Sequence, residues 1–283
     1  MKSKTQFSIV CTILLAAAIQ FSSCNKESSQ LSSAHATVND NSVANSINDS
    51  ALNQGLVGWY PFNGDTKDHS GHHNDVIFNN AVAVRGKNGI ANNAYQFDGG
   101  SSYMEIANSK SLNPSKITLF ALFKTKGYYS GTCHYNRIIN KGSNDDDYGK
   151  YILGYSDQFY YNYEGCFNVV QENYQSPFGS FGDGQATAAG ATADSNYILK
   201  GNWYTLAFVY NGTESKLYLN GKLVKLEKGS TSFTPNNYTN LFFGKTQDPN
   251  YPYYFDGIID EIRIYNRALS AGEIAELNTT TKN

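Results

Sequence analysis

The sequence predicts an all-β fold: a two-sheet antiparallel jelly-roll sandwich closed by one short C-terminal helix. Three observations carry that expectation. Aromatic residues make up 14% of the chain, with 22 Tyr and 16 Phe against only 6 Pro, a balance that favours strands joined by tight turns. Many short runs alternate apolar and polar side chains, as half-buried antiparallel strands do. No strand–helix–strand alternation is present, which favours a sandwich over a parallel sheet.

The N-terminus stands apart from this pattern. Lys2 and Lys4 precede an apolar run over residues 7–19, too short for the roughly 20 residues a spanning helix needs. Phe21-Ser22-Ser23-Cys24 follows, then polar Asn25-Lys26-Glu27. Small residues immediately before a Cys resemble a bacterial lipobox, although Phe21 stands where Leu is usual. Residues 1–23 therefore read as a lipoprotein signal peptide and Cys24 as the lipidated residue. An ordinary secretory signal cut nearby is the alternative. Residues 24–53 are rich in Ser, Asn and Ala without hydrophobic period, so they read as a flexible tether. The expected location is the bacterial cell envelope, lipid-anchored to the outer membrane. Lys26-Glu27 faintly resembles the surface-export signal of Bacteroidetes-type lipoproteins.

Strand-like runs fill the domain, residues 54–279. They cover 56–62, 94–97, 103–106, 117–125, 137–140, 151–154, 158–163, 203–210, 216–219, 240–244 and 258–265. Asn211-Gly212 and Asn220-Gly221 are hairpin signals, because both residue types accept the positive φ of type I′ turns. Residues 176–195 are Gly-, Ala- and Thr-rich without period and read as a long surface loop. Ser270-Ala271-Gly272-Glu273 has capping-box form ahead of Ile274 and Leu277, which predicts the closing helix.

Cysteine and charge narrow the chemistry. With Cys11 in the signal and Cys24 lipidated, Cys133 and Cys166 remain as an isolated pair. An exported chain permits a disulfide between them, worth about 3–4 kcal/mol in the chain-entropy model. Two free thiols are the alternative. The formal net charge of −2 and the lack of a basic run count against nucleic acid as a partner.

Several blocks, in order, resemble the laminin-G-like, concanavalin A-like lectin/glucanase jelly rolls. They are Gly58-Trp59-Tyr60-Pro61-Phe62-Asn63-Gly64-Asp65, Asp68-His69-Ser70-Gly71, Tyr95-Gln96-Phe97-Asp98-Gly99 and the run from Trp203 to Gly221. The last runs from Phe255 through Asp260-Glu261-Ile262-Arg263-Ile264-Tyr265 to Ser270. The resemblance implies two facing antiparallel sheets with adjacent terminal strands. It also implies one structural Ca²⁺ at that junction, carried onto Asn63, Asp65 and Asp260, with Asp68 close by; hard oxygen ligands suit this ion. The same residues also read as turn caps. Laminarinase-type relatives use a Glu-x-Asp-x-x-Glu strand, and that spacing is absent here. Asp260 and Glu261 are adjacent, and on a regular strand they point to opposite faces. No catalytic residue is therefore assigned.

Sugar recognition needs aromatic faces beside polar groups, which Tyr supplies. Tyr128, Tyr161, Tyr163 and Tyr253 are the expected ligand-binding residues, while Trp59 and Trp203 read as core. The expected function is a non-catalytic carbohydrate-binding module displayed on the envelope. Its expected partners are a glycan or glycoprotein and, through the anchor alone, the membrane, with the chain acting as a monomer. The rivals are an adhesion module for a protein partner and a glycoside hydrolase-like enzyme.

Overall fold

The computed structural model describes residues 51–142, 149–157, 172–183, 189–193, 197–236 and 238–281. Its strands are β1 (Leu56–Tyr60), β2 (Val76–Asn79), β3 (Val82–Val84), β4 (Ala94–Asp98), β5 (Met104–Ile106), β6 (Ile117–Thr125), β7 (Asn136–Lys141) and β8 (Lys150–Ser156). They continue with β9 (Ser176–Gly182), β10 (Ala189–Thr192), β11 (Trp203–Tyr210), β12 (Glu214–Leu219), β13 (Lys222–Lys228), β14 (Leu241–Phe243) and β15 (Asp256–Tyr265), followed by helix α1 (Ala271–Thr280).

These strands form two antiparallel sheets. One has the order β13-β12-β11-β6-β15-β4-β3, with β1 also paired to β15; the other has the order β10-β9-β8-β7-β14-β5-β2. The main core lies between them. Leu119, Ala121 and Phe123 of β6 meet Tyr151, Leu153 and Tyr155 of β8 and Leu241 and Phe243 of β14 in one cluster. Pairing of β1 with β15 brings the first and last strands together, Trp59 opposite Arg263 and Tyr60 opposite Ile262.

A second, smaller core covers the other face of the eight-stranded sheet. Ile274 and Leu277 of α1 pack with Leu52, Leu56, Phe120, Val209, Tyr218 and Tyr265. Leu52 is buried there, so the folded domain starts before residue 54, inside the expected tether. The capping box forms: the Glu273 N–H donates to Ser270 Oγ and the Ser270 N–H to Glu273 Oε2. Among the described residues, no helix is long and apolar enough to cross a membrane.

The strands and turns also differ from the sequence reading in three respects. Residues 176–182 and 189–192, expected as loop, are β9 and β10, paired in register from Phe181↔Ala189 to Phe178↔Thr192. The small residues there mark close approach rather than disorder: a Cβ on Gly179 would lie 2.4 Å from Phe208. β2, β3 and β13 were not anticipated, because these edge strands are largely exposed and show no alternation of burial. The two Asn-Gly turns also differ from each other. Asn220 and Gly221 both have positive φ, 51° and 77°, as type I′ demands. At Asn211-Gly212 only the glycine does, and Asn211 Oδ1 instead accepts the N–H groups of Thr213 and Glu214. The expected strand over 158–163 lies outside the described residues.

Candidate functional site

Strand alternation gives the seven-stranded sheet an inner face, which is core, and an outer face. Met104 and Ile106 point inward, so Glu105 points outward; Leu241 and Phe243 point inward, so Phe242 points outward. The register lines the outward residues into one row: Ser180, Ile152, Asn140, Phe242, Glu105 and Phe78. Toward β8 the row is buried, with Asn140 at 1% and Ile152 at 6% exposure. Toward the β2 edge it opens, and Phe78 is 42% exposed.

An aromatic platform stands at the open end. The rings of Phe78 and Tyr103 stack with centroids 4.7 Å apart, and Phe242 lies 6.1 Å from Tyr103. Tyr103 is held by the turn after β2: its N–H donates to Asn80 Oδ1, while the Asn80 N–H donates to its carbonyl. The Lys245 ammonium sits 3.9 Å from the Tyr103 centroid and 5.1 Å from that of Phe242. Burial pulls the Lys245 pKa down, against the opposing field of Glu105. Burial pushes the Tyr103 phenol up, with help from Glu105 and Tyr254. Glu105 is turned toward Asn240, whose Nδ2 donates to Oε1 at 2.6 Å. Tyr103 is thus sandwiched between the Phe78 ring and the Lys245 ammonium, the exposed Phe78 ring forms the outer face of the stack, and the Glu105–Asn240 pair lies beside it.

Farther along the same face, Arg137 is caged by aromatics. Its guanidinium carbon lies 4.6, 5.0 and 5.2 Å from the rings of Tyr135, Phe178 and Tyr253. Burial lowers its pKa to about 10, against opposing contributions from Tyr135 and Tyr253. Tyr253, expected as an open platform, is buried here at 5% exposure with positive φ, and its carbonyl accepts the Arg137 N–H. Tyr128 is half-buried: its hydroxyl donates to the Ile198 carbonyl and its ring meets Tyr155 edge-on. The Tyr253 ring is closed off by its packing, while Tyr128 is partly buried against the core. Tyr161 and Tyr163 lie outside the described residues, as does Cys24. Cys133 is disulfide-bonded and has positive φ; Cys166, its expected partner, lies outside the described residues.

The terminal-strand junction holds a polar cavity of about 160 Å³, lined by Trp59, Asn63, Lys87, Asn88, Asp260 and Glu261 among others. Asn63 and Asp260 therefore converge. Asp65 is absent from that lining; its Oδ1 accepts the Lys67 N–H and faces His69 Nε2 at 3.2 Å. Asp68 is saturated as a turn cap, accepting from the N–H groups of Trp59, Ser70 and Asn74 and from Ser70 Oγ.

Asp260 and Glu261 do not take opposite faces. The register of β15 against β6 slips between Ile259 and Glu261, so Asp260 is the extra residue of a β-bulge. Ile259 and Ile262 both enter the core, leaving Asp260 and Glu261 together on the cavity side. Burial raises the Asp260 pKa to about 6; the Lys87 N–H bond opposes this and the Glu261 charge adds to it. Glu261 Oε1 accepts from both Trp59 Nε1 and Arg263 Nε, and the Arg263 guanidinium lies over the Trp59 ring at 4.7 Å. Trp59, read from sequence as core, thus also anchors this network. Among the described residues, no three His, Cys, Asp or Glu side chains cluster as a metal site.

Residues 98–275 match the family model of the concanavalin A-like lectin/glucanases superfamily. No curated protein is similar in sequence. The binding domain of Paraclostridial Mosquitocidal Protein 1 is similar in structure, with a TM-score of 0.60 at 16% identity over 81% of this chain and 53% of that one. The botulinum neurotoxin type C structure, whose cell entry depends on two ganglioside molecules, gives 0.60 at 12% identity over 83% and 53%. This chain thus matches about half the length of those toxin domains. Domain 4 of AbnA, an extracellular arabinanase from Geobacillus stearothermophilus in complex with arabinotriose, gives 0.51 at 17% identity over 79% and 98%. At these identities the likeness is one of fold.

Proposed function

Because the chain belongs to the concanavalin A-like lectin/glucanases superfamily, we propose that it is a non-catalytic glycan-binding module whose platform is the Phe78–Tyr103 pair. The observation that carries this is the exposed aromatic surface of Phe78, stacked on Tyr103 at the edge of the outer face, with Lys245 and Glu105–Asn240 nearby. Such a surface offers the apolar face of a pyranose a stacking partner and its hydroxyls both donors and acceptors. The saccharide complex of the arabinanase domain supports the reading, since that domain is matched over 98% of its length. The expected catalytic rival is disfavoured at the bulge. Glu261 is occupied by Trp59 and Arg263, which leaves Asp260 without a free carboxylate partner for acid–base work.

The same proposal includes display on the bacterial envelope by lipidation at Cys24, supported by Lys2, Lys4, the apolar run and the small residues before the cysteine. It includes a Cys133–Cys166 disulfide and a single Ca²⁺ held by Asn63 and Asp260. The polar cavity and the buried Asp260 carboxylate offer oxygen ligands to a hard cation, with Lys87 on the same lining and Asp65 absent from it. Such an ion would tie β15 to the segment after β1.

The test is glycan-array binding by the detergent-solubilised full chain, with calcium and with chelator. Reproducible binding to one glycan class, lost in Phe78→Ala and Tyr103→Ala, is the expected result. No binding by chain shown to be folded would refute it and favour the adhesion reading. That second reading has its own observation: Ile77, Val82 and Ile90, in or near the edge strands β2 and β3, are each more than half exposed.

A further inference from the structure

The platform carries a cation whose charge no described group neutralises by contact. Among the described residues, the Lys245 ammonium makes no hydrogen bond and no ion pair; its neighbours are the Tyr103 and Phe242 ring faces. Its backbone is firmly placed. The Gly244 N–H donates to the Ile138 carbonyl, the Phe255 N–H to the Gly244 carbonyl, and the Thr246 N–H to the Pro252 carbonyl. The side chain is therefore delivered onto the outer face by a fixed strand end rather than by a free loop. Glu105, whose field reaches it, is held by Asn240 on β14's opposite end.

We propose that this site selects glycans bearing a carboxylate or sulfate, the acid pairing with Lys245 beside the Phe78–Tyr103 stack. This deepens the glycan-binding reading and rests on it. A lysine on an aromatic face keeps one hemisphere of its ammonium against the ring and directs its remaining donors outward. An anion arriving there completes a partly desolvated ion pair, which is stronger than one between two exposed side chains. A neutral hydroxyl gains only an ordinary hydrogen bond. Glu105 adds direction: it repels an acid placed at the Asn240 end, so one orientation of an acidic sugar is favoured over its reverse. The chain's net charge is −2, so attraction of anions is local to this residue rather than a property of the whole surface.

The experiment compares affinities of the detergent-solubilised full chain for three acidic probes, each beside its neutral form. The probes are polygalacturonate and its methyl ester, sialyllactose and its methyl ester, and a sulfated galactan and its desulfated form. At least one acidic probe is expected to bind about tenfold tighter than its neutral form, with the preference shrinking as salt rises. Lys245→Gln should remove the preference, weakening the acidic form far more than the neutral one; Lys245→Arg should retain it. Phe78→Ala should weaken both forms together. Thermal melts of each variant confirm that it is folded. Equal affinity for acidic and neutral forms in all three pairs, or a preference that survives Lys245→Gln, would overturn the inference while glycan binding stands. No binding of any probe or any array glycan by folded chain would overturn both.

Discussion

Replacing Asp260 by Asn tests the reading of the bulge. In the wild type, burial and Glu261 raise the folded-state pKa of Asp260 from 3.8 to about 6, against the Lys87 N–H bond. The folded state then holds a proton that the unfolded state has lost across that window, so stability falls as pH rises from 4 to 6 and stays lower above it. Two units correspond to about 3 kcal/mol; allowing for the side chain's partial exposure, the effect is roughly 1–2 kcal/mol. Asn keeps an oxygen to accept the Lys87 N–H, a bond of 2.6 Å in the wild type, and carries no charge. In chelator at pH 8, Asp260→Asn should therefore be more stable by roughly 1–2 kcal/mol, raising Tm by about 2–8 °C for a domain of this size. At pH 4 the two proteins should melt together. The assay is thermal and urea unfolding across pH 4–8 with chelator, repeated with calcium. Added calcium should stabilise the wild type and leave the variant unmoved if Asn63 and Asp260 hold the ion. A variant less stable than wild type at pH 8 in chelator, or a difference that does not change with pH, would refute the reasoning.

Two further predictions concern the frame around the site. Asp68→Ala strips the acceptor from three backbone N–H groups and a hydroxyl and should destabilise by roughly 3–5 kcal/mol, read as a drop in urea midpoint at unchanged slope; a loss below 1 kcal/mol would show that water replaces the cap. Ser270→Ala breaks the capping box of α1 and should cost about 1 kcal/mol, a Tm fall of roughly 2–4 °C. Near-UV circular dichroism should stay native, because the sheets themselves are untouched.

The fold class was legible wherever burial is one-sided. β6, β11 and β15 alternate or run apolar because their side chains enter one or both cores, and Ser270 with Glu273 announced α1 through local capping chemistry alone. The Asn220-Gly221 turn was legible for the same reason: its φ preference is local. The resemblance directed attention to Asn63 and Asp260 at the expected junction of terminal strands, and both residues line one cavity there.

What the sequence hid depends on which strands become neighbours. The β9–β10 hairpin has no period because Gly179 is dictated by Phe208 of the opposite sheet, a contact between residues far apart in the chain. The common orientation of Asp260 and Glu261 needs an extra residue in β15 relative to β6, and the register of two distant strands sets that count. The platform was missed for a similar reason. Phe78, Tyr103, Phe242 and Lys245 come from three strands and their flanks, unremarkable singly and assembled only by the order β14-β5-β2. The tyrosine-rich segments drew attention instead, yet Tyr253 is buried in packing, because an aromatic ring is as useful for filling a gap as for meeting a sugar. Local patterns thus determined what each segment becomes, while sheet order and register decided which side chains share a face.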